Sequence, residues 1–231
     1  MFSNLLEKIK NRIYSRKCKI REISHYEIAK LRVQQFGLTA TIKDDSGDEH
    51  YFYRGHEYVE IGGRKWAVTN VGAEKETDGG LYFAFGETKG YTAKQINSGE
   101  RKFIENEYAN ANFDSVKAYW GGKWRMPTAE EFYVLISATT NRWVDDYQGS
   151  GVSGRLFTDI TDRSKKLFFP AVGACDYGNV YIVGCFGYYW SSSLLANDVT
   201  IGRSLRFDDM FCGISEYNCY FGFSVRGVVG N

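Results

Sequence analysis

Five cysteines and three histidines are the residues in this chain that could carry covalent or metal chemistry. Cys18, Cys175, Cys185, Cys212 and Cys219 contain no C-x-x-C pair and no zinc spacing, and an odd number cannot complete a disulfide framework. Free thiols buried as small hydrophobes are the plain reading. His25, His50 and His56 all lie in the first quarter, so the rest of the chain offers no imidazole for a triad or a metal cluster. Asp44-Asp45-Ser46-Gly47-Asp48 resembles the start of a calcium loop. Arg54 and Gly55 stand where its bidentate glutamate would be needed, which leaves an ordinary acidic turn. Asp208-Asp209 reads as a solvated acidic pair, and no Gly-rich phosphate loop occurs. No catalytic residue, metal ligand or cofactor is therefore expected.

The remaining chemistry is recognition. The chain holds 17 Tyr, 16 Phe and 25 Gly against 2 Pro, which points to β-rich and loop-rich structure. The stretch from Gly187 to Val228 concentrates these residues. Gly187-Tyr188-Tyr189-Trp190-Ser191-Ser192-Ser193 opens it, Gly222-Phe223-Ser224-Val225-Arg226 closes it, and the middle shows neither helical period nor clean alternation. That pattern suggests a binding surface held by a frame. A net charge of +1 gives no global field for nucleic acid, so no nucleic-acid partner is expected. No apolar run is long enough for a membrane span, and the N-terminus lacks the apolar region of a secretory signal.

The elements that must position this stretch can be read in order. Residues 1–36 read as helical: Leu5, Leu6, Ile9 and Ile13 form a stripe, and Ser24 with Glu27 forms a capping box. That box starts a helix carrying Ile28, Leu31 and Phe36, stopped by Gly37. Leu38–Tyr53 reads as a hairpin around the acidic turn, and Tyr58–Val68 as a hairpin around Gly62-Gly63. Leu81–Phe85 reads as a strand, Asp114–Tyr119 as a short helix, and Thr128-Ala129-Glu130-Glu131 as a second capping box. The helix after it carries Phe132, Leu135 and Ile136 on one face. Trp143–Gly154 reads as a turn-rich connection, with strands at Arg155–Thr158 and Lys166–Pro170.

Three separated motifs carry a resemblance. They are Lys65-Trp66-Ala67-Val68-Thr69-Asn70-Val71-Gly72-Ala73, then Trp120 to Thr128, then the two ends of the 187–228 stretch. Together they resemble the variable proteins of diversity-generating retroelements found in gut Bacteroides and their phages. The resemblance covers about Glu57 to Val229. It implies an α+β, C-type-lectin-like domain of the formylglycine-generating-enzyme type at 57–231, preceded by a helical, hairpin-containing extension at 1–56 for attachment or oligomerisation. It implies a non-enzymatic protein whose hypervariable C-terminal surface binds an external ligand. Calcium-binding lectins use Glu-Pro-Asn or Gln-Pro-Asp, but Pro127 follows Met126 and Pro170 follows Phe169, so that site is not expected.

Such retroelements mutate template adenines, chiefly in asparagine codons, and the outcomes exclude Met, Trp, Lys, Glu and Gln. Between Leu194 and Phe221 only Met210 and Glu216 fall outside that menu, although those five residue types are common elsewhere in the chain. The expected contact residues are Leu195, Asn197, Val199, Thr200, Ile201, Ser204, Arg206, Asp208, Asp209, Phe211, Cys212, Ile214, Ser215, Tyr217, Asn218, Tyr220 and Phe221. Among these, Phe211, Tyr217, Tyr220 and Phe221 are read as exposed rigid anchors. Trp124, Trp190, Phe207, Phe223 and Arg226 are expected to form the frame. The partner implied is a protein or glycan on a host-cell surface, met by a phage tail protein, and a homotrimer would add avidity. A bacterial surface adhesin and an oxidase of the formylglycine-generating type are the alternatives.

Overall fold

The computed structural model describes residues 23–105 and 113–230. The stripe at Leu5 to Ile13 lies outside them, as does Cys18. The fold is mixed α+β and mostly β, with 42% strand against 17% helix, and one sheet is curled into a half-barrel.

Helix α1 (His25–Phe36) begins with the capping box: the Ser24 hydroxyl accepts from the Glu27 N–H, and the Glu27 carboxylate accepts from the Ser24 N–H. Gly37, at φ 60°, ends it in the left-handed region. Of the apolar residues it carries, Ile28 and Leu31 are half-buried. Tyr26 packs on His50, Lys30 bonds Glu57 at 2.6 Å, and Val33 is buried, whereas Phe36 is 59% exposed. The helix thus docks through a lysine stem, which also lies over the Phe52 ring, and a tyrosine, above a hairpin and the strand that follows it.

That hairpin is β1 (Ala40–Lys43) and β2 (Glu49–Tyr53). Its turn is closed by Asp44 Oδ1, which accepts from the Ser46 N–H, the Ser46 hydroxyl and the Asp48 N–H. The Ser46 hydroxyl is the main reason the Asp44 carboxyl is held at about 2. β3 (His56–Ile61) and β4 (Arg64–Asn70) follow, joined by Gly62 and Gly63 at φ 60° and 69°. Two positive φ angles are what a tight type I′ turn requires. Position 56 opens β3, so this sheet runs without interruption across residues 56 and 57.

β5 is only Tyr82–Phe83, shorter than Leu81–Phe85, because the Ala84 N–H turns to the Glu87 carboxylate and the Phe85 N–H to the Cys219 carbonyl. Helices α2 (Ala93–Asn97) and α3 (Ser115–Trp120), strand β6 (Trp124–Arg125) and helix α4 (Ala129–Ser137) come next. Thr128 and Glu131 form the second capping box, and Phe132 and Leu135 are fully buried. β7 (Thr139–Val144) extends into the stretch read as turn-rich, where Trp143 and Val144 pair with Arg155 and Gly154 of β8 (Gly154–Asp159). β9 (Lys166–Pro170) completes that three-stranded sheet.

β10 (Ala174–Asp176) and β11 (Asn179–Tyr181) form a small hairpin. β12 (Gly187–Leu195), β13 (Asp198–Phe207) and β14 (Cys212–Asn218) form an antiparallel meander, followed by β15 (Phe223–Ser224) and β16 (Arg226–Val229). The strand orders are β1-β2-β3-β4-β16-β6 and β14-β13-β12-β15-β5. The region without a readable pattern is therefore regular structure. Its alternation is masked because both faces of the meander carry apolar side chains.

Candidate binding surface

Register fixes which side chains share a face. Tyr189, Leu205 and Ile214 lie in one cross-strand row, and Phe207 opposes Cys212. This inner face packs on Phe132 and Leu135 of α4 within the main core. The opposite, outer face carries Tyr188, Arg206 and Gly213 in one row and Trp190, Ser204 and Ser215 in the next. It packs in part on Phe83, Phe85 and Phe223.

The frame residues are all buried. Trp190 donates its indole N–H to the Phe83 carbonyl at 3.0 Å and lies 4.3 Å from the Phe223 ring. Arg226 is fully buried, with hydrogen bonds to Asn70 Oδ1 at 2.7 Å and to the carbonyls of Ala67, Val68 and Phe168. Its guanidinium sits 4.4 Å from the Phe169 ring, and burial pulls its pKa down to about 10. Trp124 donates to the Tyr53 carbonyl, and Phe207 stacks on Tyr189.

The three serines of β12 work as ties. The Ser191 hydroxyl donates to the Arg203 carbonyl, the Ser192 N–H to the Pro127 carbonyl, and the Ser193 hydroxyl accepts from the Ala129 N–H at 3.0 Å. The last two fasten the first turn of α4 to the meander and satisfy one of the free N–H groups at a helix start.

The expected contact residues separate into groups. Leu195, Asn197, Val199 and Thr200 lie at the β12–β13 end, where Val199 is 73% exposed. Ile201 and Asn218, a cross-strand pair, adjoin that end. The Thr200 hydroxyl and N–H are bonded to Asp198, which holds the Asp198 carboxyl below its usual range. Asp208, Asp209 and Phe211 lie at the β13–β14 end, about 30 Å away at roughly 3.3 Å per residue. This second end is well ordered by hydrogen bonds. Asp208 takes the Arg206 guanidinium at 2.6 Å and the N–H groups of Met210 and Phe211, while Arg155 donates to the Asp208 carbonyl. Asp208 is thus spent on its own hairpin, and no cluster of metal-ligating groups occurs among the described residues.

Two of the expected contacts point the other way: Cys212 and Ile214 pack against the main core. They share cross-strand rows with the inward-facing Phe207 and Leu205, so the strand period, not their residue type, decides their side. Ser204 lies in the outer row between Trp190 and Ser215 but is fully buried there. The aromatic anchors also differ from expectation. Phe211 is 39% exposed, but Tyr217 is half-buried, lying edge-on to Tyr188 and Phe223 at 5.3 Å. Tyr220 stacks on Phe221, and Phe221 in turn on Phe223. Burial is the main cause that pushes the Tyr217 phenol up to about 12.

Arg206 sits between the rings of Phe186 and Phe211, 5.1 and 4.9 Å away. Phe186 and Tyr188 stack with ring centroids 6.1 Å apart and extend the aromatic surface beyond the expected residues. Their spacing with Trp190 is a period of two, the signal in the sequence that could have placed all three on one face. Ser215 completes the outer row beside Tyr217. No known protein family, curated protein or solved structure matches this chain.

Proposed function

We propose that the chain is a non-enzymatic ligand-binding protein with a C-type-lectin-like fold of the formylglycine-generating-enzyme type, whose outer face and hairpin ends in 194–221 are diversified by adenine-directed mutagenesis. One observation carries this reading. Most side chains that hold the meander in place come from its flanks: Tyr189, Trp190, Phe223 and Arg226 are buried, and Ser192 and Ser193 tie the sheet to α4. Between them, Asn197, Val199, Asp209, Phe211 and Asn218 are exposed, so changing them leaves the packing intact. Burial pushes the Cys212 thiol up to about 11 and Cys219 up to about 12, which keeps both protonated and poorly nucleophilic near neutrality. That supports binding over thiol chemistry.

The setting proposed is a phage tail tip that meets a protein or glycan on a host-cell surface, in a homotrimer whose avidity compensates for weak single contacts. The test is the gene and its flanks. A neighbouring reverse transcriptase and a template repeat are expected, with differences confined to template adenines. Those differences should fall at codons such as 197, 199, 209, 211 and 218 and spare Leu205, Phe207 and Gly202. A Cβ at Gly202 would sit 2.6 Å from the Phe85 ring, too close for any other residue. Differences that ignore template adenines would sink the proposal.

A further inference from the structure

The meander ends in an edge that pairs with no further strand among the described residues. β14 is the last strand of its sheet and pairs only with β13. Its seven residues keep an unbroken register, from Ile201 opposite Asn218 to Phe207 opposite Cys212. Two backbone bonds just beyond the ends of that ladder fix its parity. The Cys219 N–H donates to the Thr200 carbonyl, and the Asp208 N–H to the Phe211 carbonyl. In an antiparallel pair, hydrogen-bonded and non-bonded positions alternate. Counting inward from either end gives the same answer: Gly213, Ser215 and Tyr217 turn their backbone groups to β13. Cys212, Ile214 and Glu216 therefore turn theirs outward. No backbone bond from another element reaches those three among the described residues.

Proteins commonly blunt such edges with lysine, proline, bulges or shortness. The other edge strands of the two large sheets show this: β1 is four residues long and ends in Lys43, while β6 and β5 have two residues each. β14 has no proline, lysine or bulge, and Glu216 is its single charge. It also lies within the stretch proposed to vary. A diversified surface needs affinity that does not depend on which side chains are present, and an open strand edge supplies it through the main chain.

We propose that the outer edge of β14 receives an extended polypeptide segment of the bound partner as an added strand, through the backbone groups of Cys212, Ile214 and Glu216. This deepens the binding reading above and rests on it: the ligand is then a polypeptide rather than a glycan. The incoming strand's alternate side chains lie beside Gly213, Ser215 and Tyr217 on the outer face. Gly213 and Ser215 are small and the adjoining rings of Phe211 and Tyr217 are large, so the chemistry favoured at those positions is apolar or aromatic.

The test uses the full chain and short linear peptides selected on it from a displayed random library. Selected peptides are expected to bind the Glu216→Pro variant at least ten-fold more weakly than the Glu216→Thr variant. Both lose the carboxylate near Arg203, but only proline removes the outward N–H. On the unmodified chain, bound peptide should slow amide exchange at residues 214 and 216 more than at 213, 215 and 217. That second measurement decides the matter if the proline variant fails to fold. Equal binding to both variants, or slowed exchange confined to other strands, would overturn strand addition. So would a selection that yields no peptide while a glycan array yields a ligand. That last result leaves the diversified-surface reading standing, whereas differences between gene and template that ignore adenines remove that reading and not the edge.

Discussion

The inner and outer faces of one meander do different work. The inner face meets α4 and the main core through Tyr189, Leu205, Phe207 and Ile214, and has no freedom to change. The outer face carries Tyr188, Arg206, Ser215 and Tyr217, with exposed residues at each hairpin end. Adjacent residues of a single strand thus belong to opposite regimes. Tolerance to substitution here is a property of parity and of distance from the hairpin ends, not of sequence segment.

Substitutions can break this comparison. The largest effect is expected from Arg226→Met, which strands three carbonyls and Asn70 in the interior; a loss of about 3 kcal/mol or more should appear in denaturant unfolding. Leu205→Ala, on the inner face, should cost about 2–5 kcal/mol through the cavity it leaves. If it costs no more than an outer-end substitution, the two-face description fails. Thr128→Ala removes the cap of the helix that backs the inner face and should cost about 1 kcal/mol, read as a lowered thermal midpoint. Val199→Ala, at the hairpin end, should stay within about 0.5 kcal/mol of the parent.

A pH effect comes from outside the meander. His56 is stacked on Trp120 at 4.1 Å, and burial pulls its pKa from 6.5 down to about 4. The unfolded chain then binds the proton first, so stability is full above about 6.5 and falls as pH drops toward 4. Melting curves between pH 7 and 4.5 should show this fall, reduced in a His56→Phe variant. An unchanged slope in that variant would remove His56 as its source.

Much of the scaffold was legible because its signals are local. Ser24 with Glu27, Thr128 with Glu131, and Gly62-Gly63 each specify a turn or helix start through a few neighbouring backbone groups. The candidate surface was legible as a region but not as a side. Cys212 and Ile214 sit in the same stretch as Phe211 and Val199, and nothing in their residue types marks them as inward. With apolar residues on both faces, the period-two signal disappears. The docking of α1 through Tyr26 and Lys30 was missed for a related reason: their partners, His50 and Glu57, lie on strands that only the folded sheet brings beneath it.

The sequence by itself determined the caps, the glycine turns, the aromatic wealth of residues 187–228 and the shortage of imidazoles, because these depend on composition and on neighbours a few residues apart. Tertiary structure alone decided the strand register, the assignment of each side chain to a face, and the unpaired edge of β14. Those depend on which strands pair and on what covers each face, and long-range pairing leaves no local mark in the chain.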